Sequence, residues 1–243
     1  MVPTVKNKGE DYVNKYAQQL TVSESAPTDR AVFIRRTYAH LAAAILAFVG
    51  LEFYMVNSPI ADIMLDLMSL RFGWLAILGG FILVGNLASR LAMSNVSQTT
   101  QYIGLTLYVI AESVIFVPLL WLAVYKSSSD VLPMAGIMTL LLFGGLTLVA
   151  FVTRKDFSFL RSILMISGML ALGLIVCSVL FGFNLGLLFS FVMVLIASGA
   201  ILYDTSNIIH HYHPDQYVAA SLQLFASIAL LFWYILRIFM SRD

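Results

Sequence analysis

Charge is what this sequence has least of. Only 11% of its 243 residues are Asp, Glu, Lys or Arg, where soluble domains carry about a quarter. That shortage excludes an ordinary soluble enzyme or binding domain. Cysteine is nearly absent as well: Cys177 stands alone in an apolar run, which excludes an intrachain disulfide and argues against a Cys-based metal site. The opening stretch MVPTVKNKGEDYVNKYAQQL has no apolar core of the kind a cleaved signal peptide needs, so the first apolar segment is expected to direct its own insertion. The formal net charge of +1 decides nothing by itself, and no nucleic-acid partner is expected.

Catalytic patterns are missing too. The run His210-His211-Tyr212-His213 is a loop cluster without the HExxH spacing of a helical zinc site. Ser198-Gly199 has no GxSxG elbow around it and no matched histidine. Of the histidines, only His40 falls within an apolar span. We therefore expect neither an enzyme nor a bound metal or cofactor.

What is present is apolar length. Hydrophobic residues make up 60% of the chain and mean hydropathy is +0.90. Seven segments reach the roughly 20 residues that a helix needs to cross a bilayer: 37–56, 72–91, 102–125, 131–152, 160–181, 185–209 and 217–240. The fold class is thus an all-α membrane protein, a seven-helix bundle over residues 35–243 behind a polar tail at 1–34. The connections, NSPIADIMLDLMSLR among them, are read as loops. The lipid bilayer is the first partner. GGFILVG, GIMTLLLFGG and ASGA bring small residues to helix-packing spacing. Lys6, Lys8, Lys15, Arg30, Arg35, Arg36, Arg90, Arg154, Lys155 and Arg161 collect on the tail side, against Arg71, Lys126, Arg237 and Arg242 opposite. The positive-inside rule then puts the N-terminus in the cytoplasm and the C-terminus outside.

An ionisable residue within a span costs about 2.5–3.5 kcal/mol on insertion scales and needs a partner or a wet cavity. The candidates are His40, Glu52, Arg90, Glu112 and Asp204. At helical rise Asp204 lies about 28 Å along the sixth segment, near the tail-side end, and Arg90 reaches a similar depth on the second. An Asp204–Arg90 ion pair is therefore allowed by geometry. Glu112, about 16 Å into the third segment, is the deepest acid, while Glu52 sits close enough to an end to be solvated. Asp204, Asn207 and His211 share one face of the sixth helix, and Gln223, Ser227 and Tyr234 one face of the seventh. Both stripes are expected to face the bundle interior.

The segments SGAILYDTSNIIH, TRKDFSFL and RRTYAHLAAAILAF, with the ending SRD, resemble the Bax inhibitor-1 family, and in particular its bacterial YccA-like subgroup. The resemblance covers roughly residues 33 to 243. It implies a bundle with the seventh span near its centre. In some bacterial members two aspartates, with an arginine latch, form a pH-sensing site that gates a calcium leak. Asp204 matches the first aspartate and Arg90 falls close to the latch, but Ser227 stands where the second aspartate would be, and Leu230 where an asparagine is common. A lone Asp204 has no second carboxylate with which to share a proton, which weakens the case for a pH switch. For the YccA-like subgroup the resemblance implies an inner-membrane protein that modulates, and is slowly degraded by, the membrane-anchored ATP-dependent protease FtsH in membrane-protein quality control. A tail of 34 residues, reaching about 110 Å when extended, would give such a protease something to pull.

Overall fold

The computed structural model describes residues 21–94 and 97–242. The tail expected at 1–34 therefore lies outside the described residues as far as residue 20. Among those described, the chain folds into eight helices and no strand: α1 Pro27–Val56, α2 Pro59–Ser69, α3 Gly73–Ala92, α4 Gln98–Lys126, α5 Val131–Thr153, α6 Leu160–Phe181, α7 Gly186–His210 and α8 Tyr217–Met240. All but α2 are long and apolar enough to cross a membrane, which makes seven spans.

Local chemistry sets most of the boundaries. Pro27 opens α1, where its missing N–H costs nothing, so the helix takes in residues 27–34 of the stretch expected as tail. Ser58 caps α2 by accepting from the Ile60 N–H, with Pro59 in the first turn. Ser97 caps α4 in the same way through Thr100. Gly182 ends α6 with φ 72°, a left-handed conformation that glycine adopts without a Cβ clash.

The segment expected as the loop NSPIADIMLDLMSLR is mostly helix. Ala61 and Met64, three residues apart, turn inward as the buried face of α2, while Asp62 and Asp66 belong to the rest of its surface. Eleven residues are too few to span a bilayer, so a search for spans passes over this helix.

The last helix is the centre of the bundle. Of the apolar stretch of α8, 72% is buried, against 50% for α4 and 6% for α6. α1, α4, α5 and α7 surround it. Phe116 of α4 fills the middle: it stacks on Phe232 at 5.9 Å and meets Trp233 edge-on at 4.8 Å and Phe48 at 5.1 Å.

The small residues singled out in the sequence are mostly not where backbones meet. A Cβ added at Gly79, Gly80, Gly136, Gly144 or Gly145 would touch nothing within 4 Å. The close approach of α3 to α4 is at Gly104, where a Cβ would come within 2.5 Å of the Ala88 carbonyl oxygen and of the Ala92 nitrogen. Here α3 and α4 pack nearly backbone to backbone. Gly104→Ala should therefore force the two helices apart and cost about 1–3 kcal/mol. Gly144→Ala, facing open space, should stay within about 0.5 kcal/mol of the parent. Thermal unfolding in detergent measures both, and equal midpoints for the two variants would refute the close packing.

Candidate functional site

Asp204 is 8% exposed, two turns from the end of α7, and faces α8. There the Ser227 hydroxyl donates to its Oδ2 at 2.5 Å. The serine that stands in place of a second acid is thus the hydrogen-bond donor to the first. Arg90 does not take part. It is exposed in the last turn of α3, and His211–Asp156 at 3.5 Å is the one ion pair among the described residues. A guanidinium on a long stem reaches polar surroundings from a helix end without a buried counter-ion, so α3 can keep Arg90 outward.

The end of the bundle nearest Asp204 is closed by the segment ahead of α1. Val22 is fully buried. Its N–H donates to the Tyr212 carbonyl at 2.8 Å, and the Ser23 hydroxyl donates to the His210 carbonyl at 3.1 Å. Arg30 holds the segment from the other side, donating to the carbonyls of Val22 and Ser23. Tyr212, in the loop between α7 and α8, packs against Phe33. Burial, with the Asp204 carboxyl nearby, pushes its phenol well above the usual range. Val22, Tyr212 and Asp204 are thus linked in turn, by the Val22–Tyr212 hydrogen bond and by the nearness of the Tyr212 phenol to the Asp204 carboxyl.

His211 and Asn207, on the outer part of the same face, line a polar cavity of about 370 Å³ with Arg161 and Gln216. His211 meets Asp156, whose carboxyl is held below its ordinary value mainly by the Ser158 N–H, with His211 adding to the effect. A depressed carboxylate stabilises the fold above its ordinary pKa and loses that contribution as pH falls through the lowered value. Both side chains are about half exposed, so the effect is small.

Deeper in, the bundle stores carboxyls with little company. Glu112 of α4 is 6% exposed and its Oε2 has no partner among the described residues. Tyr108, one turn back, sits beside it and within electrostatic reach of Asp204. Glu52, expected to be solvated, is instead 5% exposed with both carboxyl oxygens unpartnered. It lies near the end of α1, but Phe48, Leu120 and Phe232 share its surroundings. Tyr38, Thr147 and Thr205 bring three hydroxyls from α1, α5 and α7 to one buried place. His40 is bonded to the Arg36 carbonyl at 2.7 Å and to the Tyr102 hydroxyl at 2.9 Å. Tyr234 packs edge-on against Phe189 at 5.8 Å, and Gln223 is half-buried. Among the described residues no group of three His, Cys, Asp or Glu side chains could hold a metal ion.

Tyr108, Tyr212 and Val22 carried no signal in the sequence as members of this site. Tyr108 lies in an apolar run and reads as core until helix rotation is known, while Tyr212 and Val22 lie in polar stretches outside the helices, where nothing in the sequence marks a buried contact.

Seven spans packed round the last of them, with a buried aspartate on the sixth, define a multi-pass helical membrane protein. The chain belongs to the Bax inhibitor-1 family: residues 30–243 match the family model described as inhibitor of apoptosis-promoting Bax1. It is 30% identical to Bax inhibitor 1 of Schizosaccharomyces pombe over 93% of this chain and 82% of that one. It is 31% identical to an uncharacterised protein of Pseudomonas aeruginosa over 91% of this chain and 96% of that one. A shorter stretch of 117 residues, 47% of this chain and 53% of the other, is 39% identical to the Escherichia coli protein named modulator of FtsH protease YccA.

Ser227→Ala leaves the Asp204 carboxyl without its donor and should lower stability by about 1–3 kcal/mol. Arg90→Ala should stay within about 0.5 kcal/mol of the parent, and its effect should add to that of Asp204→Asn. Thermal melts of the singles and the double decide it. A double variant much milder than the sum would mean that the arginine and the aspartate interact after all.

Proposed function

We propose that this protein is a regulator of the FtsH-type membrane-anchored, ATP-dependent protease in the inner membrane, acting in membrane-protein quality control. The observation that carries the reading is the 39% identity over 117 residues to the Escherichia coli modulator of FtsH. The chain supports it in two ways. Its polar first twenty residues precede a segment that Val22 and Arg30 anchor to the bundle, which gives the protease a handle and the bundle a fixed point. Among the described residues the buried groups also include no nucleophile–base pair of the kind that hydrolysis would need. On this reading the N-terminus lies in the cytoplasm and the C-terminus in the periplasm, the orientation that the Lys and Arg bias favours.

A second reading, a pH-sensitive calcium or cation leak, is favoured by one specific feature. Glu52, Glu112 and Asp204 put three carboxyls in the interior, with Tyr108 between the last two. Intramembrane acids facing a bundle interior commonly mark ion paths.

Affinity capture of the full chain from solubilised membranes should retain the protease. Deleting residues 2–20 should lengthen the half-life of this protein and slow turnover of other membrane substrates. Absence of the protease from the captured material, together with unchanged turnover, removes the regulator reading. For the leak, proteoliposomes should pass calcium with a pH dependence that Asp204→Asn abolishes. Vesicles as tight as protein-free ones would remove that second reading.

A further inference from the structure

We propose that the cavity beside Glu52 is a binding site for a lipophilic ammonium, a molecule with a protonated amine at one end and an apolar body. The site is independent of the protease reading. It occupies about 550 Å³ between α1, α4, α5 and α8, within the roughly 300–1,000 Å³ of small-molecule sites. Its walls include Phe48, Phe53, Val56, Leu120, Leu132 and Phe232. Phe53 is 79% exposed, so one wall opens to the surroundings of the bundle, where an amphiphile dissolved in the bilayer can enter.

Glu52 is the charged residue of this lining. Both its oxygens are buried without a partner among the described residues. A carboxylate in such a place needs a counter-charge, and among the described residues Glu52 has no ion pair. Lys126, at the end of α4, rests over the Trp121 ring at 5.7 Å instead. Asn57, the other polar group of the lining, is engaged: its amide donates to the Phe53 carbonyl at 2.7 Å and its oxygen accepts from the Tyr125 hydroxyl at 2.9 Å.

The donor set decides the ligand class. A calcium ion takes about six to eight oxygen ligands, and one carboxylate beside a committed amide falls far short. A neutral amphiphile would fill the volume and leave the carboxylate unpaired. An ammonium pairs with Glu52, its apolar body replaces lipid against the walls, and Phe48, Phe53 and Phe232 make the lining aromatic, a surface that attracts cations. Glu112, near enough to act on Glu52 electrostatically, adds to the preference for positive charge.

The test compares dodecylamine with dodecanol, matched in chain length and in mole fraction of detergent, by thermal unfolding of the full chain at pH 7. Dodecylamine should raise the midpoint in a saturable way and dodecanol should not. Glu52→Gln should weaken half-saturation by tenfold or more, and Glu112→Gln by much less. Gly136→Phe is the second variant. Gly136 lines the cavity from α5 and has open space at its Cβ, so the ring occupies the site while Glu52 itself is unchanged, and dodecylamine should lose its effect there too. Equal responses to the two probes would overturn the proposal. So would a dodecylamine response undiminished in Gly136→Phe, whether or not Glu52→Gln folds.

Discussion

Helices already in lipid gain little by hiding apolar surface from one another, so a bundle there is held by close packing and a few polar contacts. In this protein both converge on α8. Its neighbours α1, α4, α5 and α7 each present one face to it, and the aromatic cluster round Phe116 locks two of them against its middle. The Ser227–Asp204 hydrogen bond joins α7 to the same helix. Because α8 is enclosed, polar groups aimed at it are removed from lipid and water alike. The interior holds Asp204 and Glu112 because it also offers them hydroxyl partners, Ser227 and Tyr108. The peripheral α6, 6% buried over its apolar stretch, carries none of these groups and is the helix with least hold on the rest.

The spans were legible because length and composition are one-dimensional properties. Five of the seven expected starts fall within one residue of the observed helix, and α6 and α8 agree at both ends. α1 and α4 begin earlier because Pro27 and Ser97 are start signals that hydropathy ignores. Intramembrane acids were equally visible as residue types. Their partners were not. Asp204 faces Ser227 rather than Arg90 because the rotation of α3 and α7 about their axes decides the pairing, and an all-apolar helix carries little periodicity to reveal it. Glu52 was misplaced for a related reason: distance from a helix end measures depth along one helix, whereas burial depends on Leu120 and Phe232 of two others.

The segment ahead of α1 adds a constraint that composition hides. Thr21 to Ala26 is polar apart from Val22 and Ala26, yet it is tied down by backbone bonds to the loop after α7 and by the Arg30 side chain. Val22 is bonded to the Tyr212 carbonyl, and the Tyr212 phenol lies within electrostatic reach of Asp204. A force on the chain before residue 21 would therefore act first on two hydrogen bonds and one buried valine, and only then on the α7–α8 junction. The connection between tail and buried acid is short and physical.

The three interior carboxyls differ in how far the fold accommodates them. Among the described residues Asp204 has a donor within the bundle, Glu112 has Tyr108 beside it, and Glu52 has neither. A bundle selected only for stability would have no use for the third, since an apolar residue of similar size at that position would avoid the desolvation cost altogether. The residue least supported by its neighbours also borders the cavity with the open wall, and those two facts are best explained together. A group that must stay ready for a partner from outside cannot also be satisfied from within.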